Sequence, residues 1–531
     1  MKFYLLFILS AIIFFTISCN NSDNGNDVED DMTMIDDDDG QQSVDPNLIN
    51  LSFEDGTDGW QNATIGNEAY YAPVDGNSYA ISKGNDNFTT KPTTIQLEAG
   101  ETYRLTLWSR SIYSADHTQD LRNSTEDNIL RPIGNAARAI ANVTLSANDI
   151  TLSEVAVDVS PPDLKGDAAT VFNDDGANVF ISDGFRVQMT GSIFYQAVAS
   201  DPINDPWTFA GIVSPDYDGL AATPIITPQG LRGLLASFGI PGNGLTKNIT
   251  PFTGTAPNFS FAINETEDNG ILSHSGDENP LVLDGEPFYD EASQRLWMVW
   301  GGHNIWISEL DPATGKLINN PPNLEFDTHV AGTHTKIMSF AGENNVGADP
   351  AALAADFEGD GFGTNYMEGA AVFHHNGFYY ALGSYGNLGF NYTIRMGRST
   401  DPTGPYLDKD GFDLAVYSSE INRYGASFLL GADGNQLVPG HPFVWKENGN
   451  EYFLGYDFRR NISNPDIEED RMGIRRLNFV NDWPTIWTPI VITINADDFP
   501  DVIGQNLEIQ FRNSGAAGSV AAFDLFDLSK Q

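Results

Sequence analysis

Basic residues are scarce in this chain and thiols almost absent. Its 531 residues include 27 Lys and Arg against 73 Asp and Glu, a net charge of −46. So anionic a surface repels a polyanion, which excludes nucleic-acid binding but leaves neutral glycans, metal ions and cationic partners open. Cys19 is the single cysteine. The rest of the chain therefore holds neither a disulfide framework nor a thiol nucleophile. Helical periodicity is missing too. From residue 47 onward the sequence consists of short alternating or apolar runs broken by Gly, Asn, Asp and Pro, the pattern of strands and turns. The expectation is an all-β protein, with two short loop helices over 231–238 (LRGLLASF) and 349–357 (DPAALAADF).

Long apolar runs are also missing, apart from one at the start. After Lys2 the chain is apolar up to small residues just before Cys19. That run is shorter than the ~20 residues a membrane span prefers, so 1–18 reads as a signal peptide. Residues 21–40 carry nine acids and no base. They cannot bury a core and are expected to form a disordered tether over 19–46.

At this length more than one domain is expected. Residues 161–490 contain segments that repeat one design. AATVFNDDGANVFIS follows Asp167, GEPFYDEASQRLWMVWG follows Asp284, and GAAVFHHNGFYYALGS follows Glu368. In each, an acid opens an apolar strand that passes through a polar turn into a second strand. If such repeats are arranged radially, their acids point to a common place. Paired carboxylates in a sugar-sized cleft suffice to hydrolyse a glycosidic bond. Blades of four strands take about 40–50 residues each, so this region is expected to be a five-bladed β-propeller. Units begin near 166, 281, 367 and 438, and the fifth lies within 215–275 or 318–366.

The flanks read as halves of one β-sandwich. NLINLSFEDGTDGW (47–60) and TTIQLEAGETYRLTLWSRS (93–111) resemble the first half of a jelly-roll carbohydrate-binding module of family 4 type. Its closing strands look displaced to GQNLEIQFRNSGAAGSVAAFDLFDLSK (504–530). The expected organisation is a sandwich over 47–160, completed by 491–531, with the propeller inserted into it. Trp60 and Trp108 would then either bind glycan or pack the core.

Four segments resemble glycoside hydrolase family 43, its endo-arabinanase members most of all. They are LDGEPFYDEASQRLWMVWGGHNIWISELDPATGKL (283–317), EGAAVFHHNGFYYALGSYG (368–386), NYTIRMGRSTDPTGPYLDKDG (391–411) and LVPGHPFVWKENGNEYFLGYDF (437–458). The resemblance implies an inverting hydrolase of arabinose-containing polysaccharide. Glu368 would be the general acid, Asp284 the modulator of its proton affinity and Asp167 the base. The alternatives are an exo-acting α-L-arabinofuranosidase or β-xylosidase, and a non-catalytic glycan-binding lipoprotein. His441 matches the family's central-channel histidine, which implies a structural calcium ion held through water, with no cofactor needed for the chemistry. Two departures stand out. The first blade reads Gly166-Asp167-Ala168 where the family has His-Asp-Pro, so Asp174, Asp175 and Asp183 remain alternative bases. Glu368 is followed by Gly369-Ala370 rather than by a residue pair ending in Pro.

Sugar rings stack on flat apolar faces. The candidates near Glu368 are Trp300, Trp306, Tyr385, Phe390 and Tyr392. His303 and Asn304 are placed to reach a sugar, whereas Arg395 and Arg398 are expected to hold blades together. The leader resembles that of Bacteroidetes-type surface lipoproteins, which implies lipid on Cys19 and a monomer anchored in the outer membrane at the cell surface.

Overall fold

The computed structural model describes residues 53–67, 71–84, 88–112, 138–162, 177–182, 185–190, 193–198, 201–205, 208–214, 220–238, 246–254, 262–263, 272–275, 284–318, 334–339, 367–386, 392–420, 424–431, 433, 436–447, 451–459 and 471–531. Cys19, Asp167, Asp174, Asp175, Asp183, Phe390 and the run 349–357 lie outside these residues.

The protein is all-β: a five-bladed propeller with a β-sandwich built from both flanks of the chain. The sandwich begins with β1 (Thr64–Gly66), β2 (Tyr79–Lys83), β3 (Thr89–Gln96), β4 (Thr102–Ile112), β5 (Ile140–Ala147) and β6 (Ile150–Asp158). Blade 1 follows as β7 (Ala177–Ser182), β8 (Phe185–Thr190), β9 (Ile193–Val198) and β10 (Thr208–Ser214). Blade 2 is β11 (Leu220–Thr227), β12 (Gly230–Phe238), β13 (Thr246–Gly254), β14 (Ala262–Ile263) and β15 (Leu272–Ser275). Blade 3 is β16 (Glu286–Asp290), β17 (Arg295–Trp300), β18 (Asn304–Leu310) and β19 (His334–Ser339). Blade 4 is β20 (Met367–His375), β21 (Phe378–Tyr385), β22 (Thr393–Ser399) and β23 (Ser427–Leu430). Blade 5 is β24 (Leu437–Glu447), β25 (Glu451–Arg459), β26 (Arg471–Val480) and β27 (Trp483–Thr485). The chain returns to the sandwich as β28 (Thr488–Asn495), β29 (Asn506–Asn513) and β30 (Val520–Lys530).

The two sandwich sheets run β1-β2-β30-β4-β28 and β3-β29-β5-β6, so each mixes strands from the two flanks. Alternation drives this pairing. In β28, Ile490, Ile492 and Ile494 are buried while Val491 is 42% exposed, the period of a strand with one dry face. β29 does the same with Leu507, Ile509 and Phe511, and lies between β3 and β5 in antiparallel register. Phe53, Trp60, Phe511, Phe523 and Phe526 form the aromatic centre of this core. Each such ring contributes about 1.5–3 kcal/mol by leaving water. Trp60 is therefore a packing residue, and Trp108 is partly buried beside a second apolar cluster.

Among the described side chains, the inner parts of blade strands are buried on both faces, as packing against neighbouring blades requires. β17 is buried from Leu296 to Trp300 without alternation. Within each blade the first strand is innermost, and these five inner strands form a ring. β7 packs against β11, β11 against β16, β16 against β20, β20 against β24, and β24 against β7. The fifth blade lies within 215–275, as β11–β15. The helix expected over 231–238 is instead β12, paired with β11 and β13. A short run rich in Leu fits either state by periodicity, and the strands on both sides decide it.

A buried charge cluster fastens the sandwich to the propeller. Asp433, fully buried between β23 and β24, accepts from Arg110 Nη2 of β4 at 3.2 Å and from Arg475 Nη1 of β26 at 2.8 Å. Ser111 Oγ donates to its second oxygen at 2.6 Å. Arg475 Nε also donates to Tyr456 Oη at 2.8 Å, and Tyr456 Oη donates to Gln436. Hydrogen-bond saturation makes such burial tolerable.

Candidate active site

Inner strands related by rotation bring their first residues to one end of the propeller axis. Asp284 lies two residues ahead of β16, and Glu368 is the second residue of β20. Asp284 Oδ2 accepts the Gly369 amide at 3.0 Å, so the carboxylate of blade 3 holds the backbone that carries Glu368. The register of β20 on β21 shifts between Glu368 and Ala371, a bulge that re-aims the side chain. Gly369, at φ +50°, makes that bulge possible, since a Cβ there would stand 3.0 Å from His441 Cα.

Asp284 (φ 51°), His303 (φ 59°) and His441 (φ 47°) all occupy the left-handed region, which side-chain-bearing residues adopt at a cost and which recurs at functional sites. The His303 amide donates to Met367 O at 2.8 Å and ties the β17–β18 loop to the start of β20. The His441 amide donates to Ser384 Oγ at 2.6 Å, and Ser384 Oγ donates to Gly369 O at 3.2 Å. Blades 3, 4 and 5 are thus stitched together around Glu368.

Tyr392, just before β22, donates its hydroxyl to Glu368 Oε1 at 2.5 Å. Its ring is 2% exposed, so it holds the carboxyl rather than offering a stacking face. Trp300 and Trp306 are likewise interior: the rings stack at 6.2 Å, and Trp300 Nε1 donates to Ser308 Oγ at 2.9 Å. Tyr385 is buried beneath the Arg395 guanidinium, which also covers Phe428. Arg398 lies between Phe378 of blade 4 and Trp483 of blade 5 and donates to Asn481 O at 3.2 Å, so it does bridge blades. All four described aromatic candidates are buried. Asn304 is engaged by Ser339 Oγ, and His303 remains half-buried at the site's edge.

The His441 imidazole is held below its ordinary proton affinity, because loss of water outweighs the attraction of the Glu368 carboxylate. A neutral imidazole can accept a hydrogen bond or a metal ion. Calcium, however, takes six to eight oxygen ligands. Among the described residues no three His, Cys, Asp or Glu side chains converge on a point that could hold a metal. The described residues therefore do not build the calcium site that the resemblance implies.

The contributions of Tyr392, Ser384 and Gly440 were not apparent from sequence. Only Pro439-Gly440-His441 carries a hint, because the glycine leaves room for a neighbouring ring.

Residues 258–484 match the family profile described as Glycosyl hydrolases family 43. The match takes in both Asp284 and Glu368. An arabinan endo-1,5-alpha-L-arabinosidase B of Emericella nidulans is 29% identical over 137 residues, covering 24% of this chain and 32% of that protein. A probable arabinan endo-1,5-alpha-L-arabinosidase B of Aspergillus flavus is 30% identical over 240 residues, covering 41% of this chain and 62% of that protein. The chain thus spans less than two thirds of the length of either relative. Among solved structures, a family 43 endo-arabinanase from Bacillus licheniformis superposes with a TM-score of 0.44 at 17% identity, covering 61% of this chain and 99% of that one.

Proposed function

We propose that the protein is an inverting glycoside hydrolase that cleaves arabinose-containing polysaccharide internally, on 1,5-α-L-arabinan. The observation that carries this reading is the pair of carboxylates on adjacent inner strands, Asp284 bonded to the amide that follows Glu368, inside the region matched by the family. Inversion needs one protonated carboxyl at the leaving oxygen and one carboxylate that activates water on the opposite face. Glu368 donates its proton to the glycosidic oxygen as the bond to the anomeric carbon breaks. The negative charge of Asp284 favours the protonated form of Glu368 until that moment. Water attacks the anomeric carbon and gives its proton to the base.

The base belongs to blade 1. Asp167, which the repeat alignment sets beside Asp284 and Glu368, is our first choice, and Asp175 is the second. Reducing-sugar release from debranched arabinan, measured on the full chain beside Glu368→Gln, Asp175→Asn and Asp167→Asn, tests the reading. Oligosaccharide release that vanishes with Glu368→Gln and with one of the two Asp variants supports it. Release that survives Glu368→Gln sinks it.

We also infer a lipid on Cys19 and a position at the outer-membrane surface, on the strength of the apolar leader and acidic tether. Incorporation of labelled fatty acid that persists in Cys19→Ser would count against this.

A further inference from the structure

Tyr392 belongs to two parts of the molecule at once. Its hydroxyl donates to Glu368 Oε1 at 2.5 Å. Its ring lies in an apolar cluster with Tyr71, Tyr79, Ile112, Val520 and Ala522 of the sandwich, joined by Trp487 and Val438. Gly440 makes the fit possible, since a Cβ there would fall 2.1 Å from the ring. The sandwich side of the cluster is itself fixed. Trp487 Nε1 donates to Ala72 O at 2.9 Å, Arg110 Nη1 donates to Tyr71 O at 2.9 Å, and Tyr79 meets Trp487 edge-on at 6.0 Å. In so close-packed an interior the Tyr392 ring cannot swing without displacing sandwich residues.

We infer that Tyr392 is a positioning residue for Glu368, and that the sandwich helps to aim the acid by confining the Tyr392 ring. The inference rests on Glu368 being the general acid. A carboxylic acid donates from one oxygen, and the last torsion of Glu is broad when nothing restrains it. With Oε1 accepting from Tyr392, that torsion is set and the proton is left to Oε2. Among the described residues, the titratable groups placed around Glu368 include Asp284, bonded to the next residue's amide, Tyr392 ahead of β22 and His441 on β24. Of these, Tyr392 alone is coupled to the sandwich cluster.

The test uses the full chain with two substrates: arabinan, and a nitrophenyl arabino-oligosaccharide whose phenol departs without protonation. In Tyr392→Phe, kcat on arabinan is expected to fall about ten- to a hundredfold, the range for a charge-assisted hydrogen bond. KM and melting temperature should stay near wild type, and the nitrophenyl substrate should lose far less. Because the tyrosine hydroxyl stabilises ionised Glu368, its removal should also move the alkaline limb of the rate profile to higher pH. Trp487→Phe should repeat this pattern more weakly, with Ile112→Val as the milder substitute if it fails to fold. Equal losses on both substrates in Tyr392→Phe, or an unmoved alkaline limb, would reduce Tyr392 to a packing residue. A sandwich variant that folds with wild-type kinetics would overturn the role of the sandwich. Full activity in Glu368→Gln would instead remove the reading beneath, a separate and recognisable result.

Discussion

The sandwich and the propeller bury comparable strands by different means, and the difference decides how each can be used. The sandwich strands β28 and β29 keep one face dry and the other wet. The described blade strands β17 and β22 are buried with almost no alternation. Left-handed backbone occurs in both regions, as at Leu525 in the sandwich, and in the propeller it includes Asp284, His303 and His441 around the site. A sandwich can tolerate loss of a side chain as a local cavity. A propeller axis, where three blades share Glu368, Ser384 and His441, passes a local change from blade to blade.

The sharpest test of this contrast is Glu368→Gln. It should lower activity by about 10²–10⁴, the usual worth of a general acid, with an unchanged melting curve, since the side chain serves no core. Asp433→Ala should do the reverse. It strands the guanidinium groups of Arg110 and Arg475 in the interior, which costs about 3–5 kcal/mol in unfolding free energy. Urea titration would detect this, and a smaller loss would mean that water enters the cluster. Gly369→Ala blurs the contrast by design. Its positive φ and the nearby His441 Cα predict about 1–2 kcal/mol of strain, together with lost activity, because the strain sits at the bulge beneath Glu368. The smallest effect concerns His441. Its proton affinity is lower in the fold than the ordinary value of 6.5, so the unfolded chain binds more protons and stability rises with pH through that region. Its contribution is present above the unfolded value and is lost as pH falls below it. His441→Gln should therefore flatten the acid side of a melting-temperature profile, and an unchanged slope would assign that slope to other groups.

Much of the architecture could be read from residues alone. The acids that open repeated strands pointed to a propeller, and the unfinished motif at 47–111 pointed to strands at 504–530 that complete the sandwich. Asp284 and Glu368 were legible for the same reason: a repeat makes position within it meaningful. Reading failed where two states share one pattern. The run 231–238 has apolar spacing compatible with helix or strand, and pairing with β11 and β13 made it a strand. The aromatic residues pose a different difficulty. Trp300, Trp306, Tyr385 and Tyr392 flank the acid in sequence, yet all are buried, because aromatic side chains fill blade interfaces as readily as they line sugar subsites.

Sequence by itself determined the all-β class, the strongly anionic composition and the two carboxylates that open repeated strands. These depend on composition and local period, which the chain carries wherever it folds. Only tertiary structure decided that Tyr392 grips Glu368 and that its ring shares an apolar cluster with sandwich residues. The first contact depends on the fold of one blade, and the second on how sandwich and propeller meet rather than on any pattern within either.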